Sequence, residues 1–340
     1  MKTAALLPTP GDPFLVRHWL RNCERVWRGE VDELRVFVGG QPNDDARAYI
    51  RRAVEDLDGV YMEAIDGVYD GKRYDEQVPH GDALRILIEE TDADVVLLME
   101  DDVRVRHKYA VGYSFDRIKM GQYDVVSSPR GSMSGGLQQR CIERKWATTP
   151  LVDLGREAGM WPAFVFAKRA DLLATDRNFG PQAYVAGDTV PGLHWTLPPG
   201  AEECADTFGN TAFQLRDTLR VYDQPQWKGP WHWAQWLDHG KDEIMDWFHI
   251  GSLSSSGDLV AENPPFQDPR VLTDEMEQRE WAHRLHWWGR CLVLHGWELP
   301  RIADTYKHNL ERLRVHANVP MEYITDWDAV TDRIVTWDET

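Results

Sequence analysis

Apolar and polar positions divide the first hundred residues into strands and helices that take turns. Thr3 to Leu7 is an apolar run closed by Pro8-Thr9-Pro10-Gly11, and it reads as a first strand. Asp12 then stands before Pro13, as a cap stands before a first helical residue. Leu15, Trp19, Cys23, Val26 and Trp27 keep helical spacing as far as Gly29. Leu34, Val36 and Val38 alternate through a second strand, Glu33 to Val38, which Gly39-Gly40 closes. Asn43 caps a second helix to Leu57, with Ala46, Ile50, Ala53 and Leu57 along one face. Val60 to Ile65 is a third strand, followed by a polar loop from Asp66 to Pro79. His80-Gly81-Asp82 opens a third helix that buries Leu84, Leu87 and Ile88. Val95 to Met99 is a continuous apolar run without alternation, which suits a central strand covered on both faces. Three strand–helix units in a row predict an α/β fold with a mostly parallel sheet and right-handed crossovers.

The rhythm loosens after Asp102. Tyr123 to Ser127 and Trp161 to Ala167 read as further strands, and 128–149 as a surface loop rich in Gly, Ser, Thr and Arg. Residues 176–201 read as irregular. A helix is expected from Asp206 or Thr207 to about Thr218, burying Phe208, Ala212 and Leu215. Asp246 to Ile250 is a short strand into a serine run, and Thr273 to Ala317 is helical with a break near Pro300. These features divide the chain at about residue 256. A domain at 1–256, with halves at 1–105 and 106–256, precedes a helical extension at 257–340.

The candidate chemistry begins where the central strand ends. Glu100, Asp101 and Asp102 are three adjacent carboxylates, and they repel one another unless positive charge sits among them. A divalent cation with oxygen ligands supplies that charge, and a solvated acidic turn is the plain alternative. Carboxyl ends of strands in open α/β sheets are also where ligands bind.

Composition narrows the field. A formal net charge of −18 argues against a surface that is basic all over, though a local groove is compatible with it. Basic residues do cluster at 104–108, 130–145 and 279–316. Sixteen Trp residues allow stacking on sugar faces, Trp161 for instance, although core packing accounts for most of them. Cys23, Cys141, Cys204 and Cys291 form no C-x-x-C pair, so a zinc cluster is not expected and free thiols are. The apolar patch near the start is cut by Pro8, Pro10 and Asp12, and no stretch has the length of a membrane span. The expectation is a cytoplasmic protein. Neither G-x-G-x-x-G nor G-x-x-x-x-G-K-[ST] occurs, which argues against a dinucleotide fold of the usual kind and against a P-loop.

Four segments, in order, resemble the GT-A fold glycosyltransferases, in particular inverting enzymes of the family-two kind. They are LLPTPGDPF at 6–14, HGDALRILIEETDADVVLLMEDDV at 80–103, GAEECADTFGNTAFQLRD at 200–217 and WFHIGS at 247–252. The resemblance implies a GT-A, Rossmann-like sheet and a nucleotide-sugar donor, a UDP-sugar first among them. It implies Mn2+ or Mg2+ on Asp102, with His249 completing the metal shell, and Glu100 or Asp101 near the donor ribose. Pro8, Thr9 and Gly11 match the family's nucleotide loop. His80 and Arg85 lie where a helix start and a cation could meet phosphate; an N-terminal cap and a surface Arg are the plainer readings. The family's acidic contact after the second strand is missing, and Gly39-Gly40-Gln41 stands there. Asp206 matches the catalytic base that takes the acceptor's proton, with Glu202 and Glu203 as rivals and helix capping as the structural alternative. The acceptor is a hydroxyl. A weaker resemblance to enzymes of phage DNA hypermodification implies a 5-hydroxymethylpyrimidine in DNA; a glycan, a protein or a small molecule is the alternative. A nucleotidyltransferase, or a binding module without catalysis, would share the sheet and the acids. The first of these would carry Lys or Arg in the loop after the first strand, which PTPGDPF lacks.

Overall fold

A computed structural model describes residues 1–75, 77–105, 108–127, 162–185, 187–190, 195–196, 202–205, 207–216, 219–223 and 247–249. In chain order these form β1 (Thr3–Thr9), α1 (Pro13–Asn22), β2 (Glu33–Val38), α2 (Asp44–Glu55), β3 (Val60–Glu63), β4 (Val68–Tyr69) and β5 (Lys72–Arg73). Then come α3 (His80–Glu90), β6 (Val95–Met99), β7 (Val103–Val105), α4 (Tyr109–Lys119), β8 (Val125–Ser127), β9 (Phe164–Lys168) and α5 (Arg169–Leu173). The last are β10 (Gln182–Val185), β11 (Thr189–Val190), β12 (Trp195–Thr196), β13 (Glu202–Ala205), α6 (Gly209–Arg216), β14 (Val221–Asp223) and β15 (Trp247–His249). The helical segment expected at 273–317 lies outside the described residues.

The central sheet runs β14-β8-β9-β6-β1-β2-β3. Six of its strands are parallel to one another, and β9 is antiparallel to both β6 and β8. This is the mostly parallel, Rossmann-like sheet that the sequence predicts. The apolar run of β6 shows why the strand is central. Val95, Leu97 and Met99 enter one core cluster while Val96 and Leu98 enter the other. Ala5 and Leu7 of β1 divide from Ala4 and Leu6 in the same way. One cluster is closed by Val16, Trp19 and Leu20 of α1, Ile50 and Val54 of α2, and Val111, Phe115 and Ile118 of α4. The other is closed by Leu84, Leu87 and Ile88 of α3, Leu172 of α5, and Ala212 and Leu215 of α6. Each Val, Leu, Ile or Phe side chain so withdrawn from water contributes about 1.5–3 kcal/mol.

Several expected bounds shift, each for a local reason. The first helix stops at Asn22 and passes into a π-helical turn, Cys23–Trp27, with Trp19 and Trp27 edge to face at 5.2 Å. The loop expected over 66–79 contains a small hairpin, because Asp66-Gly67 and Asp70-Gly71 all take positive φ and make two tight turns in succession. Tyr69 of that hairpin packs edge to face on Phe37 at 5.1 Å. The hairpin thus packs on β2 on the same side as α3. Residues 176–201, expected to be irregular, include β10, which pairs with β13, and β11, which pairs with β12. No helix among the described residues is long and apolar enough to cross a membrane.

Candidate active site

The site grows from the register of β1 against β6. The two strands pair in parallel with Leu6 beside Leu98, the last pair of that ladder. Pro8 has no N–H with which to continue it. Three residues beyond each member of the pair stand Thr9 and Asp101, and their side chains meet. Thr9 Oγ1 donates to Asp101 Oδ2 at 2.7 Å, buried, across 92 positions of sequence. From β1 the sheet continues outward through β2 and β3, and from β6 it continues the other way. The strand order therefore reverses at this point, which is where open α/β sheets take their ligands.

Both loops are tightly held. The acidic residues form a turn, closed by Val103 N–H donating to Glu100 O at 3.2 Å. Asp101 is 2% exposed and Asp102 fully buried. On the other side the chain turns at Gly11, whose φ of +93° excludes most side chains and whose N–H donates to Thr9 Oγ1 at 3.0 Å. The missing acidic contact after β2 has a steric reason. A β-carbon at Gly40 would lie 1.9 Å from the Pro10 carbonyl oxygen, so this position admits no side chain while the β1 loop keeps its path.

Burial, and next the neighbouring Asp102, push the Asp101 carboxyl up to about 8, while the Thr9 hydroxyl pulls it down; Asp12 and Glu100 add further upward pushes. Asp12 is a residue that sequence reasoning assigned to capping alone. Its Oδ1 does lie 3.4 Å from Leu15 N–H, yet it is 2% exposed and close enough to raise Asp101. The one signal for it was its place directly after the PTPG loop. Four carboxylates thus share a buried strand end. Carboxylate oxygens are the ligands that hard divalent cations take. Among the described residues, no group of three or more His, Cys, Asp and Glu is placed so that it could hold a metal ion.

The other predicted residues fall as follows. His80 begins α3, half-buried, two residues after Val78, whose N–H donates to Gly39 O at 2.8 Å. It therefore shares the edge on which the β1 and β2 loops lie. Arg85 is about 7.5 Å further along the helix at 1.5 Å per residue. There it pairs with Glu89 at 2.8 Å and Asp82 at 3.6 Å on its own helix face. β15 pairs antiparallel with β7, which sets the backbone of His249 opposite Val103, the residue after Asp102. Asn22 fastens the far end of β7. Its side-chain amide donates to Val105 O and accepts from Val105 N–H, each at 2.9 Å. Asp206 and Trp161 lie outside the described residues. Glu202 and Glu203 lie on β13, opposite Val185 and Tyr184. The helix expected from 206 or 207 begins only at Gly209. Just before it, Phe208 is fully buried at φ +70°, a strained conformation for an aromatic residue. Its N–H donates to Phe179 O at 2.8 Å and its ring stacks on Phe179 at 5.6 Å.

No family model and no curated protein matches the chain. Solved structures match over about half of it. One is described as a mycobacterial protein, 15% identical, covering 54% of this chain and 56% of that chain with a TM-score of 0.38. Another is glucosyl-3-phosphoglycerate synthase from Mycobacterium tuberculosis in complex with Mn2+, uridine diphosphate and glucosyl-3-phosphoglycerate; it is 19% identical, covering 53% and 59%, with a TM-score of 0.35. The same synthase with Mn2+ and UDP-glucose matches at 17% identity, covering 51% and 58%, with a TM-score of 0.34. The chain spans less than two thirds of the length of these structures.

Proposed function

We propose that the chain is a metal-dependent, inverting glycosyltransferase that moves a sugar from a nucleotide diphosphate, UDP first among candidates, to an acceptor hydroxyl. The observation that carries this reading is the meeting of the β1 loop with a buried acid turn where the strand order reverses, joined at Thr9 and Asp101. Asp102 and His249 would hold Mn2+ or Mg2+, an assignment supported by the β7–β15 register. When bound, such a cation offsets the charge that grows on a departing diphosphate. The residues of the chain have the remaining tasks. Pro8, Thr9 and Gly11 frame the nucleotide, Glu100 or Asp101 faces the ribose, and His80 offers the start of α3 to phosphate. Arg85 serves phosphate only after exchanging its partners Asp82 and Glu89. Asp206 takes the proton of the acceptor hydroxyl as its oxygen bonds to the anomeric carbon and the bond to the diphosphate oxygen breaks. Residues 1–256 form the transferase domain in this reading, and 257–340 an extension.

A nucleotidyltransferase is disfavoured by the buried Asp12, which adds negative charge to the very loop that would need a cation. A 5-hydroxymethylpyrimidine in DNA is the first acceptor to try, on the resemblance alone, since the basic segments 130–145 and 279–316 lie outside the described residues. The test measures Mn2+-dependent binding of UDP by calorimetry, and turnover of UDP-sugars with hydroxymethylcytosine DNA, glycans and small hydroxyl acceptors. Asp102→Asn is expected to lower turnover by at least about 100-fold with melting unchanged. Turnover close to wild type would sink the metal assignment. Asp206→Asn is expected to keep UDP binding and lose transfer; full activity would transfer the role of base to Glu202 or Glu203.

A further inference from the structure

The Thr9 hydroxyl is more fully engaged than a nucleotide-contacting side chain needs to be. It is 4% exposed, it donates its proton to Asp101 Oδ2 at 2.7 Å, and it accepts from Gly11 N–H at 3.0 Å. A hydroxyl has one proton to give, and Asp101 receives it. Thr9 therefore has no proton for a nucleotide while this bond stands.

We infer that Thr9 is a positioning residue that sets the selectivity of the site for a ribonucleotide over a deoxyribonucleotide. The inference rests on the donor reading above and deepens it. A carboxylate rotates about its terminal bond over a broad range. With Oδ2 tied to Thr9, the plane of the Asp101 carboxyl group is fixed, and so is the direction in which its other oxygen meets a ribose diol. Thr9 is itself fixed twice over. It lies in the β1–β2 ladder, paired with Val38, and its hydroxyl closes the turn at Gly11. The orientation of Asp101 is thus referred to the sheet and not to the solvent. A site preset to bind a hydroxyl discriminates strongly against the analogue that lacks it, whereas a carboxylate free to rotate discriminates weakly.

The experiment compares UDP with 2′-deoxy-UDP, each with Mn2+, by calorimetry on the full chain. Wild type is expected to prefer UDP by about tenfold or more. Thr9→Val keeps the shape and removes the hydroxyl, and the preference is expected to fall to within about threefold. Thr9→Ser keeps the hydroxyl and is expected to retain the wild-type ratio. A purely structural role would weaken both nucleotides alike and leave the ratio unchanged, so an unchanged ratio in Thr9→Val overturns the inference. So does a lost ratio in Thr9→Ser. If Thr9→Val does not fold, Thr9→Ala removes the same hydroxyl and is judged by the same ratio. Wild type that binds neither nucleotide overturns the donor reading, and this inference with it; wild type that binds both equally overturns the inference alone.

Discussion

The two wings of the central sheet are assembled differently. In β1, β2, β3 and β6, taken in chain order, a helix lies between each strand and the next, and β2 pairs with both of its sequence neighbours; only β6 crosses back, to pair with β1. In β9, β8 and β14 the order is broken. β9 follows β8 in the chain yet inserts between β8 and β6, reversed in direction. The first wing is held by local devices: caps, crossovers and an apolar run. The second depends on contacts between residues far apart in sequence. The candidate site lies at the boundary, because β6 ends in the acid turn and is also the strand against which β9 docks. Glu100 N–H even donates to Ala163 O, just before β9, at 3.2 Å. Order at the acid turn therefore depends on the non-local wing as well as the local one.

Phe166 gives the strongest way to break this arrangement. It lies opposite Leu97 on one side and Val126 on the other, and its ring meets Phe115 and Phe164 edge to face, each at 5.0 Å. Phe166→Ala opens a cavity where β6, β9 and α4 meet. It is expected to cost about 3–5 kcal/mol, measured by urea unfolding. A loss below about 1 kcal/mol would mean that the wings do not share a core.

The next effect is smaller and depends on pH. Asp124, just before β8, accepts from Lys168 Nζ at 2.7 Å, from Arg220 N–H at 3.0 Å, and from Arg220 Nε and Nη2 at 3.1 and 3.2 Å. One carboxylate thus fastens the end of β9 and the approach to β14. Arg220 and then Lys168, with the Arg220 N–H, hold its carboxyl well below the usual range against the opposing effect of burial. Because the folded pKa is depressed, the stabilisation is fully present above the unfolded value of about 4 and is lost as pH falls through the folded value. Asp124→Asn is expected to cost about 2 kcal/mol at pH 7, discounted for the exposure of Arg220. In thermal melts its deficit should stay level from pH 7 to about 5 and shrink below about 4. A deficit that grows towards acid would refute the ion-pair account.

The same contrast explains what the sequence discloses. The local wing is legible because its signals are contiguous: VVLLM for a doubly covered strand, Asn43 for a cap, the PTPG run for a strand end. The acid turn is legible for the same reason, since Glu100, Asp101 and Asp102 adjoin that strand. Asp12 was read as a cap because a capping aspartate and a buried site carboxylate look alike until the loop above them is folded. The hairpin at β4 and β5 had a usable signal in its paired Asp-Gly dipeptides. Nothing local announces that Asn22 fastens Val105, that β15 lies beside β7, or that Phe208 takes a left-handed conformation. Each is imposed by a partner many residues away, and three-residue strands such as β7 and β14 have no periodicity to read.

Asn43→Ala supplies the smallest and most local contrast. Asn43 is extended at φ −63° and ψ 165°, and its Oδ1 accepts from Ala46 N–H at 2.9 Å. It therefore satisfies one of the amides that the first turn of α2 leaves without a carbonyl. Asp44 and Asp45 in that turn suit the positive end of the helix and remain in the variant. The expected cost is about 1 kcal/mol. Because the interaction spans three residues, it is as complete at pH 5 as at pH 7 and in the presence of nucleotide as in its absence. A loss from Asn43→Ala that varied with UDP or with pH in that range would show that α2 is coupled to the acid turn, and that the local wing is less self-contained than its crossovers imply.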